Sequence, residues 1–235
     1  MHCLALVSAV DPLLVDLTAL ALHGEEALVL TASLHDDGAP AAGGPSAPGA
    51  EDGFIRLTAA HVPFVDAETA PVLDVARTTD CWTCSLREVL VAVAEDRARL
   101  EPDGATVVLL PPGVELIHLA PRLAEDLAEV PGAALAGLAH VIDVDTAARD
   151  LLTHRPAPES VAVVEDQCAG ELHMVALGYA DAVVALGRDP VGRDLVEHLR
   201  PHDTLLLPGL DAPLLPELLV LRHDAARAVA REQLG

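Results

Sequence analysis

From residue 104 onward the chain alternates between two kinds of segment. Short apolar runs at 105–110, 140–144, 182–186 and 205–207 are too brief for helices and read as strands. Between them, 116–129, 146–152, 168–179 and 191–199 carry a helical spacing of apolar residues. A strand apolar on both sides must be covered on both faces, and strand–helix–strand connections leave consecutive strands parallel. The predicted fold class is therefore α/β, a three-layer, mostly parallel sheet with helices on both faces. No linker or internal repeat divides the chain, which predicts a single domain over 1–235.

The first hundred residues are less regular. A strand is expected at 3–8, a helix at 12–22 with Asp11 as its N-cap, and a second strand at 26–32. The stretch 36–52 is dense in Gly, Pro, Ala and Ser and is expected to be a mobile loop. Short strands are expected at 54–58 and 72–75. At the other end, 161–164 reads as a strand or a helix start, and 213–234 as mostly helix, interrupted at Pro216.

Composition narrows the function. Hydrophobic residues make up 51% of the chain but aromatics only 2%, so the core must be built of Leu, Val and Ala. The formal net charge of −23 opposes binding to nucleic acid or an anionic membrane. No apolar run approaches the ~20 residues of a membrane span. No basic segment precedes an apolar one at the N-terminus, so no signal peptide is expected and the cytoplasm is the expected location. Four cysteines in 235 residues are not a disulfide framework. All 14 basic residues are Arg, and the chain holds no Lys and no Asn. Any mechanism that needs either side chain is excluded.

The stretch Asp80-Cys81-Trp82-Thr83-Cys84-Ser85-Leu86-Arg87 holds two of the four cysteines and the single Trp. Apolar Leu86, Val89, Leu90 and Val93 then fall on one helix face, with Arg87, Glu88, Glu95, Asp96 and Arg99 mostly opposite. The helix is expected to begin near Ser85, with both thiols over its N-terminus, where the dipole favours thiolates. Cys81 and Cys84 have the spacing of half a zinc site. Cys3, Cys168, His61, His118 and His173 are the candidates to complete it, and spacing does not choose among them. A pair of small, semi-buried residues without a ligand role is the alternative. The eleven histidines are expected at helix ends or on the surface, and Cys168 with His173 reads as a buried thiol and a surface imidazole. Ser8, Ser85 and Ser160 lack the surroundings of a nucleophile, so no hydrolase triad is expected.

Cys81, Cys84, Ser85, Leu86 and Arg87 resemble the Cys-x-Cys-Cys segment of the CobW family of metal-related GTPases. Thr83 stands in place of the middle cysteine and Asp80 in place of a glycine. Leu4-Ala5-Leu6-Val7-Ser8 resembles the strand before that family's phosphate loop. Val107-Val108-Leu109-Leu110-Pro111-Pro112-Gly113 resembles its strand ending in Glu-Thr-Ser/Thr-Gly, of which Gly113 is kept. Residues 140–145 and Ala147-Ala148-Arg149 resemble its Val-Val-Asp-Ala strand and turn. Asp189, after Tyr179-Ala180-Asp181-Ala182-Val183-Val184, falls at the final Asp of the guanine-reading Asn-Lys-x-Asp, with Leu186 and Gly187 at the Asn and Lys positions. The resemblance implies a P-loop NTPase-like domain without the family's C-terminal domain.

The chemistry of that resemblance is incomplete. A phosphate loop needs glycines whose N–H groups wrap phosphates, a Lys on the β- and γ-phosphates, and a Ser/Thr on magnesium. The turn here, Ala9-Val10-Asp11-Pro12-Leu13-Leu14-Val15-Asp16, has no Gly, no Lys, two carboxylates and a Pro. Thr18 is the nearest hydroxyl and reads as an ordinary helix residue. Ordinary binding of magnesium–GTP, and hydrolysis of it, are not expected. Two functions from this reading are a degenerate CobW-like scaffold that handles zinc or binds a partner, and a non-catalytic interaction subunit of a homo- or hetero-oligomer. A third is an active CobW-type GTP-binding metallochaperone with an atypical site. A protein partner is expected; nucleic acid and membrane are not.

Overall fold

A computed structural model describes residues 1–23, 25–35, 53–59, 72–114, 116–157, 167–210 and 214–224. Its eight strands form one sheet in the order β4-β3-β2-β5-β1-β6-β7-β8. They are β1 (His2–Ala9), β2 (Leu28–His35), β3 (Phe54–Ala59), β4 (Val72–Ala76), β5 (Ala105–Leu109), β6 (Ala133–Asp143), β7 (Ala182–Leu186) and β8 (Leu205–Leu207). From β2 through β8 every neighbouring pair in the sheet is parallel. The wing β2-β3-β4 is antiparallel. All the strands predicted for the parallel run share this sheet.

The helices are α1 (Pro12–Ala21), α2 (Trp82–Leu100), α3 (Leu116–Ala128), α4 (Val144–Leu152), α5 (Ala169–Tyr179), α6 (Pro190–Leu199) and α7 (Leu214–Val220). Alternation along β1 sorts them into layers. Ala5, Val7 and Ala9 face one side and pack with α1 and α7 through Leu14, Val15, Leu214 and Leu218. Leu4 and Leu6 face the other side, where α2, α3 and α5 lie. Farther along that second face, α4 and α6 cover β6 and β7 through Val144, Ala147 and Val196. The crossovers β1–α1–β2 and β5–α3–β6 run in opposite directions along the sheet and so use opposite faces, as right-handed connections demand. The core is almost wholly Leu, Val, Ala and Ile, as the lack of aromatics requires.

Several boundaries differ from the sequence expectation; β2 runs Leu28–His35 rather than 26–32, and α4 begins at Val144 rather than 146. α2 begins at Trp82 rather than near Ser85, because the Cys81 thiol caps it by accepting a hydrogen bond from the Cys84 N–H at 3.1 Å. β6 begins at Ala133, seven residues early, because β1 pairs with it from His2↔Ala133 onward. It ends at Asp143, which caps α4. Of the helix expected over 213–234, the described residues show Leu214–Val220 as helix, continuous through Pro216, and 221–224 as not helical. There the buried His223 side chain meets Asp181 at 3.1 Å, drawing the chain onto the sheet. The loop expected at 36–52, the segment 161–164 and the last residues of the expected helix, 225–234, lie outside the described residues. Among the described residues no helix is long and apolar enough to cross a membrane.

Candidate functional site

In a doubly wound sheet, ligands bind beyond the carboxyl ends of the strands, where neighbouring connections leave for opposite faces. Here that point lies between β1, which leads to α1 on one face, and β5 and β6, which lead to helices on the other. It is also where a strand running into a helix would hold phosphate.

Each element contributes a side chain that fills this place. β1 ends at Ala9 and α1 starts at Pro12, so only Val10 and Asp11 connect them. Val10 is buried against Ala169 and Leu172 of α5. The helix N-terminus that would face an anion is already satisfied. Asp11 Oδ1 accepts from the Leu13 N–H at 2.9 Å, the Asp11 carbonyl accepts from the Leu14 N–H at 3.0 Å, and Pro12 has no N–H. Thr18 is fully buried and donates to the Leu14 carbonyl at 2.7 Å, so its hydroxyl serves the helix itself. After β5, Gly113 stands at φ +86°, the left-handed turn that Pro111-Pro112 leads into.

Beneath these turns lies a hydrogen-bonded chain that the sequence did not reveal. Ser8 Oγ lies 3.0 Å from His140 Nδ1, and His140 Nε2 lies 2.9 Å from His173 Nδ1. Ser8 also donates to the Ala139 carbonyl at 3.4 Å. All three residues are buried, which corrects the surface placement expected for His173; its partner is His140, not Cys168. Burial drives the pKa of His140 well below its ordinary value, and the neighbouring His173 adds to this. Burial likewise lowers His173 to about 4, with Asp150 and Asp11 opposing and Arg155 assisting. Both rings are neutral at pH 7. Beside them, burial works to raise the Asp150 carboxyl. Hydrogen bonds from Arg155 (2.8 Å), Thr146 (3.0 Å) and Arg149 (3.1 Å) outweigh that and hold it low.

Serine, histidine and a second histidine in line have the composition of a nucleophile relay, but access decides against it. The cavity touching Ser8, His140 and Gly113 measures about 10 Å³, and the one touching His173, Asp150 and Arg155 about 20 Å³. Each is the size of a single water. Neither an acyl substrate nor a nucleotide triphosphate enters such a space.

Asp189, expected from the sequence as a guanine-motif residue, is likewise committed. Both Asp189 oxygens cap α6, accepting from Val191 N–H at 3.3 Å and Gly192 N–H at 3.0 Å. Asp145 Oδ1 accepts from the Arg188 and Asp189 N–H groups, each at 2.7 Å, and these bonds lower its pKa. Gly187, where the sequence resemblance would set a Lys, has φ +90°. A Cβ there would meet Asp143 Oδ1 at 2.8 Å and Asp145 Cγ at 2.8 Å. A lysine at this position is excluded by backbone and neighbours together.

The cysteine turn lies elsewhere, at the start of α2. Cys81 is exposed and Cys84 half-buried. A hydrogen bond to Cys81 raises the Cys84 pKa, burial and the Cys81 charge adding to it. For Cys84 that corrects the expectation of a thiol made acidic by the helix dipole. Among the described residues no three His, Cys, Asp or Glu side chains gather to hold a metal ion. Cys3 opens β1, Cys168 caps α5, His118 is exposed on α3 and His173 is in the crevice. His61 lies outside the described residues. Zinc would find two sulfurs here, half of the usual set. Next to this turn, α2 and the β2-β3-β4 wing leave a groove of about 630 Å³ lined by apolar residues such as Leu57, Leu73, Val75 and Val89, with Glu88, Asp96 and Arg97 also on its wall.

No protein-family model and no curated protein matches this sequence. Among solved structures, the Zn(II)-bound YjiA GTPase from E. coli shares 12% identity with a TM-score of 0.43. The match covers 85% of this chain and 54% of that one, so the chain spans about half that protein's length.

Proposed function

We propose that the chain is a degenerate CobW-like protein: a P-loop-type scaffold that handles zinc or binds a partner and does not carry out ordinary nucleotide hydrolysis. The observation that carries this reading is the filled crevice. Where a phosphate loop would wrap its ligand, two residues join β1 to α1, and Asp11 and Pro12 use up the helix N-terminus. The adjoining cavity of about 10 Å³ admits no triphosphate. Magnesium–GTP does not fit this site, and no step of a hydrolytic reaction is assigned to it. Asp189 and Gly113 are then remnants with structural tasks, one capping α6 and the other closing a turn.

Zinc handling rests on Cys81 and Cys84. Binding would compete with the Cys84 N–H for the Cys81 sulfur and release the Cys84 thiol proton. With two sulfurs the ion is held loosely and exchanged readily, as suits transfer rather than storage. Zinc content measured after dialysis against free zinc tests this. About one ion per chain, lost in Cys81→Ser/Cys84→Ser and removed by a mild chelator, supports it. Zinc content unchanged by the double substitution rejects it and leaves the partner-binding role. Release of inorganic phosphate from GTP above the buffer rate would favour the metallochaperone reading with an atypical site.

A further inference from the structure

The helix α1 is apolar on two opposite faces and packs with only one. Leu14, Val15, Thr18 and Ala19 turn inward, together with Leu22 just past its end, and are buried. Leu13, Leu17 and Leu20 are spaced i, i+4 and i+7 and turn outward, 61%, 39% and 52% exposed. Isolated exposed leucines are ordinary on protein surfaces. Here three of the ten large hydrophobic side chains exposed among the described residues stand in one row on a ten-residue helix. Such a row is the seam a second helix packs against. Asp16 borders the row, Glu25 and Glu26 follow the helix, and α1 carries no basic residue, while Asp11 caps the helix on the side of the crevice and Arg155. The whole chain adds a net charge of −23.

We propose that the outer face of α1 is the docking site of a partner's basic amphipathic helix, its leucines on Leu13, Leu17 and Leu20 and its Lys or Arg residues beside Asp16 and the Glu25-Glu26 pair that follows the helix. The inference rests on the partner-binding reading above. A second copy of this chain fits less well. A two-fold contact along the row would bring Asp16 of one copy near Asp16 of the other, on molecules that already repel.

The probes are two labelled synthetic helices with leucines at i, i+4 and i+7, one flanked by Lys and the other by Glu. Fluorescence anisotropy reads their binding to the full chain, to Leu17→Ser/Leu20→Ser and to the control Leu100→Ser on α2. These are exposed positions, and far-UV circular dichroism checks that each variant is folded. The Lys helix should bind the wild type and the control alike. Its affinity should fall about tenfold or more in the double variant, and the Glu helix should bind about tenfold more weakly than the Lys helix. Equal binding of the Lys helix to the double variant would reduce the effect to bulk charge and overturn the proposal. So would no binding at all, or equal binding of the two helices. A dimer in sedimentation that the double variant abolishes would assign the face to a second copy instead. None of these outcomes bears on nucleotide or zinc, so the docking face and the scaffold reading fail separately.

Discussion

Two parts of the molecule gather metal-ligating or nucleophilic side chains, and they differ in kind. In the crevice, Ser8, His140 and His173 are buried, bonded to one another, and adjoined only by water-sized spaces. At the start of α2, Cys81 is exposed and Cys84 half-buried, and the Cys81 sulfur accepts from the Cys84 N–H. The first group has the better chemistry and no access. The second has access and too few partners. Function in this chain therefore cannot be read from which residues are present; it depends on whether their bonding capacity is already spent. Buried polar groups that satisfy one another belong to the architecture.

Breaking the crevice should therefore cost most. His140→Ala would leave Ser8 Oγ and the His173 ring without their partner and open a cavity. Urea denaturation should show a loss of about 3–5 kcal/mol. A loss below about 1 kcal/mol would mean the chain of hydrogen bonds is not structural.

Acid should act on the same rings. Their folded-state pKa values are depressed, so the stability they contribute is fully present above the unfolded value near 6.5 and is lost as pH falls toward 4. For His173 the shift from 6.5 to about 4 corresponds to about 3 kcal/mol. Once both rings are protonated, two N–H groups face each other at 2.9 Å and the bond between them is gone. Denaturation midpoints should fall between pH 6.5 and 4, and His173→Gln should flatten that slope. A wild-type profile level over this window would show that water reaches the rings.

The cysteine turn should respond in the opposite manner. Cys81→Ser keeps an N-cap oxygen in place of the thiol, and the Cys84→Ser site is half-exposed. Thermal melts of the double variant should stay within about 0.5 kcal/mol of the wild type. A loss as large as that of His140→Ala would make the turn part of the core framework and erase the contrast.

The contrast also explains what was legible in the sequence. The parallel strands were, because a strand buried on both faces is a nearly continuous apolar run, as in Ala182–Leu186 and, but for Thr106, Ala105–Leu109. The first half of β6 was not, because Ala133 to Ala139 consists of Ala, Leu and Gly, which have weak strand preference, and only pairing with β1 makes it a strand. The start of α2 was misplaced because a thiol is not among the usual caps. The antiparallel wing does alternate: Ile55 and Leu57 turn to the core while Arg56, on the opposite face, meets Asp74 at 2.8 Å. Its pairing still depends on which strand lies next to which, and spacing does not carry that. Least legible was the chain from Ser8 to His140 to His173. Its members are 132 and 33 residues apart, and no local pattern joins them. A clue was present in His140, a polar residue between Ala139 and Val141 in an apolar run, which had to find a buried partner.

The central claim is that the crevice is closed to nucleotide. Isothermal titration calorimetry of the full chain with magnesium–GTP tests it most directly. The account predicts a dissociation constant of about 1 mM or weaker, roughly −4 kcal/mol of binding free energy. Saturable binding in the micromolar range would contradict it: β1 and α1 would then have to part, and the atypical GTP-binding reading would replace the scaffold.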